Sequence, residues 1–309
     1  MVGDMRQWLR RCQLIVAGAD GNGLDLSNLR IKFNIRKDDA QTPNKARITV
    51  YGVNDETVAR IKNEFVDISL EAGYQENYGL IFRGNIMQVR SGRENGVDTF
   101  MEIAAGDGDS DYVYGTVNKT LAAGARTNDV VNAAMIGQPG YVPDLGGPKL
   151  PRGKVLYGMK RDVLRNASQS TDTTWSTQDG KTQFLGLTEV LPGQAVVLNS
   201  RTGLIGTPEQ TTDGIEAVAL LNPMLKIGGR VLIDEKDVAS IKLKSQEKLD
   251  KKQAEGKKLD KEPAKIASDG QYRILKIEHD GDTRAQAWYS KITCLDIDAS
   301  APAKKKVKK

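Results

Sequence analysis

Short apolar runs separated by turn-forming residues fill the stretch from Gly203 to Asp234. The apolar run at 215–221 ends at Asn222-Pro223, and Gly228-Gly229 follows shortly after. Proline fixes φ and lacks a backbone N–H, whereas glycine tolerates a positive φ, so both mark sharp changes of chain direction. The pattern predicts a strand, a corner and a second strand. The 31 glycines and ten prolines of this 309-residue chain also favour many turns, and therefore β-structure.

The N-terminal third alternates between apolar and polar residues, as half-buried strands do. Ile31, Phe33 and Ile35 share one face of a predicted strand, whereas Arg30, Lys32 and Arg36 share the other. Similar alternation recurs at 47–51, 66–70, 80–89 and 97–105. These segments predict an antiparallel barrel or sandwich over residues 1–105.

Two local signals punctuate these strands. Asn54 is a suitable N-cap for a short helix over 55–63, because its side chain can accept a bond from a free N–H of the first turn. Asn95-Gly96 separates two strand-like runs, which is the typical sequence of a tight hairpin turn. The first domain is therefore expected to contain one small helix packed against its strands.

The segment 106–184 has a different pattern and predicts a helical or mixed middle domain. Helices are expected at 112–123, at 127–135 with Thr127 as the cap, and at 159–168. Residues 137–153 contain four prolines and predict a loop or an extended arm. Asp179-Gly180 then predicts a hairpin turn between strands at 173–178 and 182–187.

The last third predicts a second β domain over 185–298. A strand is expected at 195–198, and residues 230–244 are expected to pair with 271–279 as a long hairpin before a final strand at 285–298. Between them, the segment 243–269 is rich in lysine and acidic residues and predicts a long solvated loop. Residues 299–309 form a basic C-terminal tail. The predicted fold class is therefore mainly β with α+β elements: two β-barrel or sandwich domains joined by a small helical domain.

The stretch described first also resembles a known family. The order of its apolar, glycine and proline positions is similar to that of the baseplate hub proteins of contractile-tailed bacteriophages, of the late control D type. The residues that carry this resemblance are Leu204, Ile205, Gly206, Pro208, Leu221, Asn222, Pro223, Ile227 and Gly228. The segment 158–187, a short helix followed by a hairpin, is also similar to the segment that precedes the second tube domain of such hubs.

The resemblance implies that the two β domains, 1–105 and 185–298, are tube-like, and that the chain is a structural protein and not an enzyme. It implies a homotrimer with approximate sixfold symmetry that joins the hexameric ring of the tail tube protein to the trimeric spike protein, beside other baseplate proteins. It also implies a location in the tail baseplate of the virion after synthesis in the host cytoplasm. DNA is expected only as non-specific cargo that passes through the channel of the hub.

No catalytic, cofactor-binding or metal-binding residues are predicted. His279 is the only histidine and is expected to be a surface residue at a strand end. The acidic stretch at 106–111 lacks the spaced oxygen ligands and closing glutamate of an EF-hand, and a domain junction is favoured there. Asp296 and Asp298 alternate onto one strand face without a visible partner acid. A tail-associated peptidoglycan hydrolase, or its carrier, remains the alternative of a different class.

Lysine clusters raise a third possibility, a basic nucleic-acid-binding module. The formal net charge is +5, and five lysines occupy the last six positions, so the rest of the chain is close to neutral. These clusters are instead expected to contact partner proteins. They comprise Lys251, Lys252, Lys257, Lys258, Lys304, Lys305, Lys306, Lys308 and Lys309.

Neither the two cysteines nor the N-terminal segment indicates an exported protein. Cys12 and Cys294 are too few for a disulfide framework and are expected to be buried thiols. The basic N-terminus is not followed by an apolar segment, and no run approaches the length of a membrane span. A soluble protein without a signal peptide is expected.

Overall fold

A computed structural model describes residues 8–18, 21–233 and 270–297. The N-terminal part is a succession of strands interrupted by one helix. Its elements are β1 (Arg10–Gly18), β2 (Gly23–Asp25), β3 (Arg30–Asp38), β4 (Lys45–Tyr51), α1 (Asp55–Glu64), β5 (Phe65–Tyr74), β6 (Asn77–Glu94) and β7 (Asp98–Gly106).

The middle part alternates short helices with short strands. Its elements are α2 (Asp109–Tyr114), β8 (Thr116–Leu121), α3 (Thr127–Ala134), β9 (Gln138–Pro139), β10 (Lys154–Met159), α4 (Lys160–Ser170), β11 (Thr173–Gln178) and β12 (Lys181–Gly186). The C-terminal part consists of strands. They are β13 (Val196–Leu198), β14 (Leu204–Gln210), β15 (Ile215–Leu220), β16 (Arg230–Ile233), β17 (Gln271–Asp282) and β18 (Trp288–Asp296).

Strands from both ends of the chain form one large sheet in the order β14-β15-β18-β17-β3-β4-β7-β6-β5-β1-β2, with β16 and β13 attached beside β17. Strand β17 makes the connection, because residues 271–273 pair with β16 and residues 276–282 pair with β3. A register shift between Ile274 and Lys276 separates the two pairings. The strand pattern did not indicate that the first and third predicted domains would share a sheet.

Three apolar cores lie within the described residues. The first belongs to the N-terminal strands and α1, and it also receives Leu221 and Trp288 from the C-terminal part. The second lies among β13 to β18, and the third lies among the elements of the middle part. The predicted mainly β fold class is confirmed. The domain limits 1–105, 106–184 and 185–298 remain a prediction.

Local signals gave the N-terminal elements correctly. Ile31, Phe33 and Ile35 are all buried on one face of β3, and Asn54 accepts a bond from the Thr57 N–H at the start of α1. Asn95 and Gly96 both have positive φ, as a two-residue hairpin turn between β6 and β7 requires.

The middle part departs from the prediction at two places. The helix expected over 112–123 is wrong, because α2 ends at Tyr114 and β8 follows it. Gly115 turns the chain into an extended conformation, and β8 then pairs with β10 while burying Val117 and Leu121. Thr127 is the first residue of α3 and not its cap; the Asp129 carboxylate accepts the N–H of Arg126 there.

Candidate functional site

The corner predicted between two strands is present at residues 221–229, and it joins separate parts of the fold. The Leu221 N–H donates to the carbonyl of Trp288, and the Asn222 N–H donates to Ser290 Oγ at 3.1 Å. Asn222 Oδ1 accepts from Asn77 Nδ2 at 3.0 Å. Asn222 is buried and connects β18 to the start of β6 through its backbone N–H and its side-chain oxygen, both of which have hydrogen-bond partners.

The end of this corner contacts the middle part of the chain. The Ile227 carbonyl accepts from Gln183 Nε2 at 3.2 Å, and the Gly228 N–H donates to the Ile274 carbonyl at 2.8 Å. Gly228 has φ of 78°, and a Cβ at this position would collide with a methyl group of Leu185. Glycine is thus required both by the backbone conformation and by close packing against β12.

A charged cluster lies directly beside the corner. Lys37 Nζ donates to Asp179 Oδ1 at 2.5 Å, and Lys226 Nζ approaches Asp179 Oδ2 at 3.4 Å. The same two ammonium groups also donate to backbone carbonyls of β6, Lys37 to Ile81 and Lys226 to Leu80. Because the Lys37 side chain is only 3% exposed, its charge is held inside the protein by these partners.

Asp107, which directly follows β7, extends this charged cluster. We call the group formed by Lys37, Lys226, Asp179 and Asp107 the junction. Its carboxylate accepts the backbone N–H groups of Asp179 at 2.6 Å and Gly180 at 2.7 Å, so it holds the tip of the β11–β12 hairpin. Asn44 Nδ2 donates to the Thr177 carbonyl of the same hairpin at 2.7 Å. Burial, reinforced by the nearby Asp179 carboxylate, raises the pKa of Asp107 to about 6. The acidic stretch at 106–111 therefore lies where parts of the fold meet.

Arg273 makes a second connection to the hairpin. Its Nη1 donates to the carbonyls of Gly186 and Leu187, both at 2.7 Å, and its Nη2 lies 3.3 Å from Asp39 Oδ2. One guanidinium on β17 thus fixes the end of β12 and the loop after β3.

His279 is not the surface residue that was expected. It lies within β17, is 1% exposed, and its Nδ1 is 2.9 Å from Ser290 Oγ. Burial lowers the pKa of His279 to about 3, so the ring is neutral near pH 7. Its neighbours in the sequence do not reveal this, because the burial comes from pairing with β3 and β18. Among the described residues, no group of three or more His, Cys, Asp or Glu side chains could hold a metal ion.

The nine residues that carry the resemblance to hub proteins are called the hub-like motif below. Its members Leu204, Ile205, Gly206 and Pro208 lie on β14, at the edge of the large sheet. Leu204 and Pro208 are buried, whereas Ile205 is 39% exposed and Gly206 has φ of 70° in open space. The register of β14 against β15 shifts between Ile205 and Glu209. Within the described ranges, β15 is the only strand that pairs with β14.

The lysine clusters at 251–258 and 304–309 lie outside the described residues, as do Asp298 and most of the predicted long hairpin between 230 and 279. The part that is described shows β16 paired antiparallel with the start of β17. Of the helices in the described ranges, none has both the length and the apolar character needed to cross a membrane.

No protein-family model and no curated protein matches this sequence. Solved structures match its fold. The 43 kDa tail protein of prophage MuSo2 from Shewanella oneidensis is 7% identical, with 94% of this chain and 99% of that chain aligned at a TM-score of 0.57. The tail protein from Neisseria meningitidis MC58 is 9% identical, with 94% and 97% aligned at a TM-score of 0.54.

A secretion-system protein gives a third match. The E. coli c3393 protein is a component of the type VI secretion system with structural similarity to the T4 bacteriophage tail proteins gp27 and gp5. It is 11% identical, with 86% of this chain and 73% of that chain aligned at a TM-score of 0.52. The chain therefore has the fold of phage tail proteins, and the resemblance noted in the sequence is confirmed at the level of the fold.

Proposed function

We propose that this chain is the structural hub of a contractile phage baseplate. Three copies form a ring on the tail axis, between the hexameric tail tube and the trimeric spike. The observation that carries the proposal is the match to two phage tail proteins over nearly the full length of all three chains. The c3393 protein, described as similar to gp27 and gp5, extends the likeness to a secretion system.

The arrangement of apolar cores supports a ring with approximate sixfold symmetry. Each chain has one core among its N-terminal strands and another among its C-terminal strands. Two β units in each of three copies provide six positions around the axis, which match a hexameric tube above and a threefold spike below. The domain limits 1–105, 106–184 and 185–298 are part of this proposal.

Strand β14 is the proposed contact between copies. An edge strand presents unpaired backbone groups that another chain can complete, and closed cyclic symmetry is the usual arrangement of homo-oligomers. Ile205 adds an exposed apolar side chain to this edge. The residues from Leu204 to Pro208 would then belong to the interface, whereas the corner at 221–229 would hold the subunit together.

The basic groups are assigned to assembly and to passage of DNA. We propose that the lysine clusters at 251–258 and 304–309 contact tube, spike or other baseplate proteins. The solvent-facing side of β3 and β4 carries Lys32, Arg36 and Arg47, with Glu102 and Glu278 in ion pairs beside them. A face of mixed charge suits a channel through which DNA passes without being bound in a specific sequence.

Imaging of the purified particle tests this function. The proposal predicts three copies of the chain on the tail axis, in contact with the tube on one side and the spike on the other. A position away from the axis would refute it. The chain is also expected to leave peptidoglycan intact in a zymogram. Clearing that disappears in a Glu278→Gln or His279→Ala variant would favour the alternative, a tail-associated hydrolase.

A further inference from the structure

A cavity of about 490 Å³ opens beside the charged cluster of the junction. Its wall is formed by β3, by the β11–β12 hairpin, by the segment 139–141 and by the corner at 221–229. The charged and amide side chains that line it are those of Lys37, Lys181, Lys226, Asp179, Gln178 and Gln183. Three different parts of the fold therefore contribute cationic groups to one concave space.

Positive charge exceeds negative charge on this wall. Lys37 and Lys226 share the single lining carboxylate, Asp179, and Lys181 has no ion-pair partner among the described residues. The Asp107 carboxylate lies behind the hairpin turn and is bonded to its backbone N–H groups. His279, which lies near the two lysines, is neutral. Among the residues that the structure describes, one ammonium charge thus remains without a carboxylate, even when Asp107 is counted.

The ammonium groups also have donors to spare. A lysine ammonium has three N–H donors. Lys37 directs two of them to Ile81 and Asp179, and Lys226 directs two to Leu80 and Asp179. Burial, together with the charges of Lys37 and Lys181, lowers the pKa of Lys226 against the attraction of Asp179. A further anion in the cavity would offset the repulsion among the three lysine ammonium groups and accept hydrogen bonds from their remaining N–H donors.

We propose that the junction cavity binds an oxyanion, a phosphate or a carboxylate group, between Lys181 and Lys226. Lys37 supplies charge from the buried wall behind them. The bound group would connect the hairpin and the corner, so it would bind the folded chain in preference to the unfolded one and stabilise the junction. The oxyanion is either a free small ion or the acidic side chain of a neighbouring protein, and both present the same chemistry to the lysines.

Titration calorimetry of the purified full chain with inorganic phosphate tests the site, with sodium chloride of equal ionic strength as the blank. Saturable binding that becomes about tenfold weaker in a Lys181→Gln variant is expected, because one charge-assisted contact is removed. Lys226→Gln should weaken binding at least as much. Lys119→Gln, which changes an exposed lysine on β8, should bind as the unmodified chain does.

Two further measurements keep the test decisive. The urea midpoint of each variant without phosphate shows whether the variant folds. Lys181→Gln is expected to fold normally because Lys181 is exposed. Acetate replaces phosphate in a second titration. Binding of phosphate alone excludes a carboxylate and leaves a free phosphate ion as the occupant, whereas comparable binding of acetate shows that the acidic side chain of a partner also satisfies the site. Absence of saturable binding with both ions, or unchanged binding in Lys181→Gln, would overturn the proposal.

Discussion

The two ends of the hub-like motif lie in opposite environments. At the C-terminal end, Asn222 and Gly228 are buried and bonded to strands from distant parts of the chain. At the N-terminal end, Ile205 and Gly206 lie on the exposed edge strand β14. One continuous sequence pattern thus contains residues that hold the subunit together and residues that face outward. Their substitution should affect different properties.

Two glycines with nearly the same backbone conformation give the largest expected difference. Gly206 and Gly228 have φ of 70° and 78°, but only Gly228 lacks space for a Cβ. Gly206→Ala should lower the free energy of unfolding by about 1 kcal/mol, the cost of a left-handed alanine. Gly228→Ala should lower it by about 3 kcal/mol, because overpacking against Leu185 is added. Urea unfolding measures both, and equal losses would contradict the assigned packing.

The pH dependence of stability should come mainly from two buried groups, His279 and Asp107, whose contributions to the free energy of unfolding change in opposite directions as pH falls. The pKa of His279 is lowered to about 3, so the unfolded chain takes up this proton first, and stability is lost as pH falls below 6.5. From pH 7.5 to pH 5 this loss is about 2 kcal/mol. The pKa of Asp107 is raised to about 6, so the folded chain takes up that proton first and gains about 1 kcal/mol over the same interval.

Single variants separate these contributions. His279→Gln should turn the change between pH 7.5 and pH 5 into a gain of stability, whereas Asp107→Asn should increase the loss. Urea unfolding at the two pH values provides the measurement, and each variant is compared with itself so that its own cost of substitution cancels. If both variants kept the pH dependence of the unmodified chain, neither group would titrate as its burial requires.

The smallest effect on unfolding is expected at the edge strand. Ile205→Lys should change the free energy of unfolding by less than about 0.5 kcal/mol, because the side chain already reaches solvent. It should nevertheless prevent association of copies, since the proposed interface would have to bury the new charge. Val97→Lys, at the exposed turn between β6 and β7, is the matched control and should leave association unchanged. Sedimentation of the three proteins at equal concentration would separate these outcomes.

Local patterns were sufficient for much of the fold but not for the junction. The alternation of Ile31, Phe33 and Ile35 gave a strand and its buried face, and Asn54 gave a helix start. Lys37 occupies the next position on the buried face of the same strand, so the sequence pattern alone indicates that its charge is buried. Its partner Asp179 lies 142 positions away, and no local period predicts which carboxylate such a lysine will meet.

The wrong prediction of a helix over 112–123 has a related cause. The apolar spacing there is compatible with either structure, and pairing with β10 decided in favour of a strand. The exposure of Ile205 and Gly206 on β14 was also not predictable, because it depends on which strands occupy the centre of the sheet. Local sequence patterns therefore predicted most of the elements and the corner, whereas long-range pairing determined which residues of the motif face inward.

Native mass measurement of the full chain at micromolar concentration tests the central claim most directly. If edge strands join the copies into a ring of two β units per chain, the dominant species should contain three chains. The Ile205→Lys variant should then appear as a folded single chain. A dominant species of one, two or four copies in the unmodified protein would contradict the account.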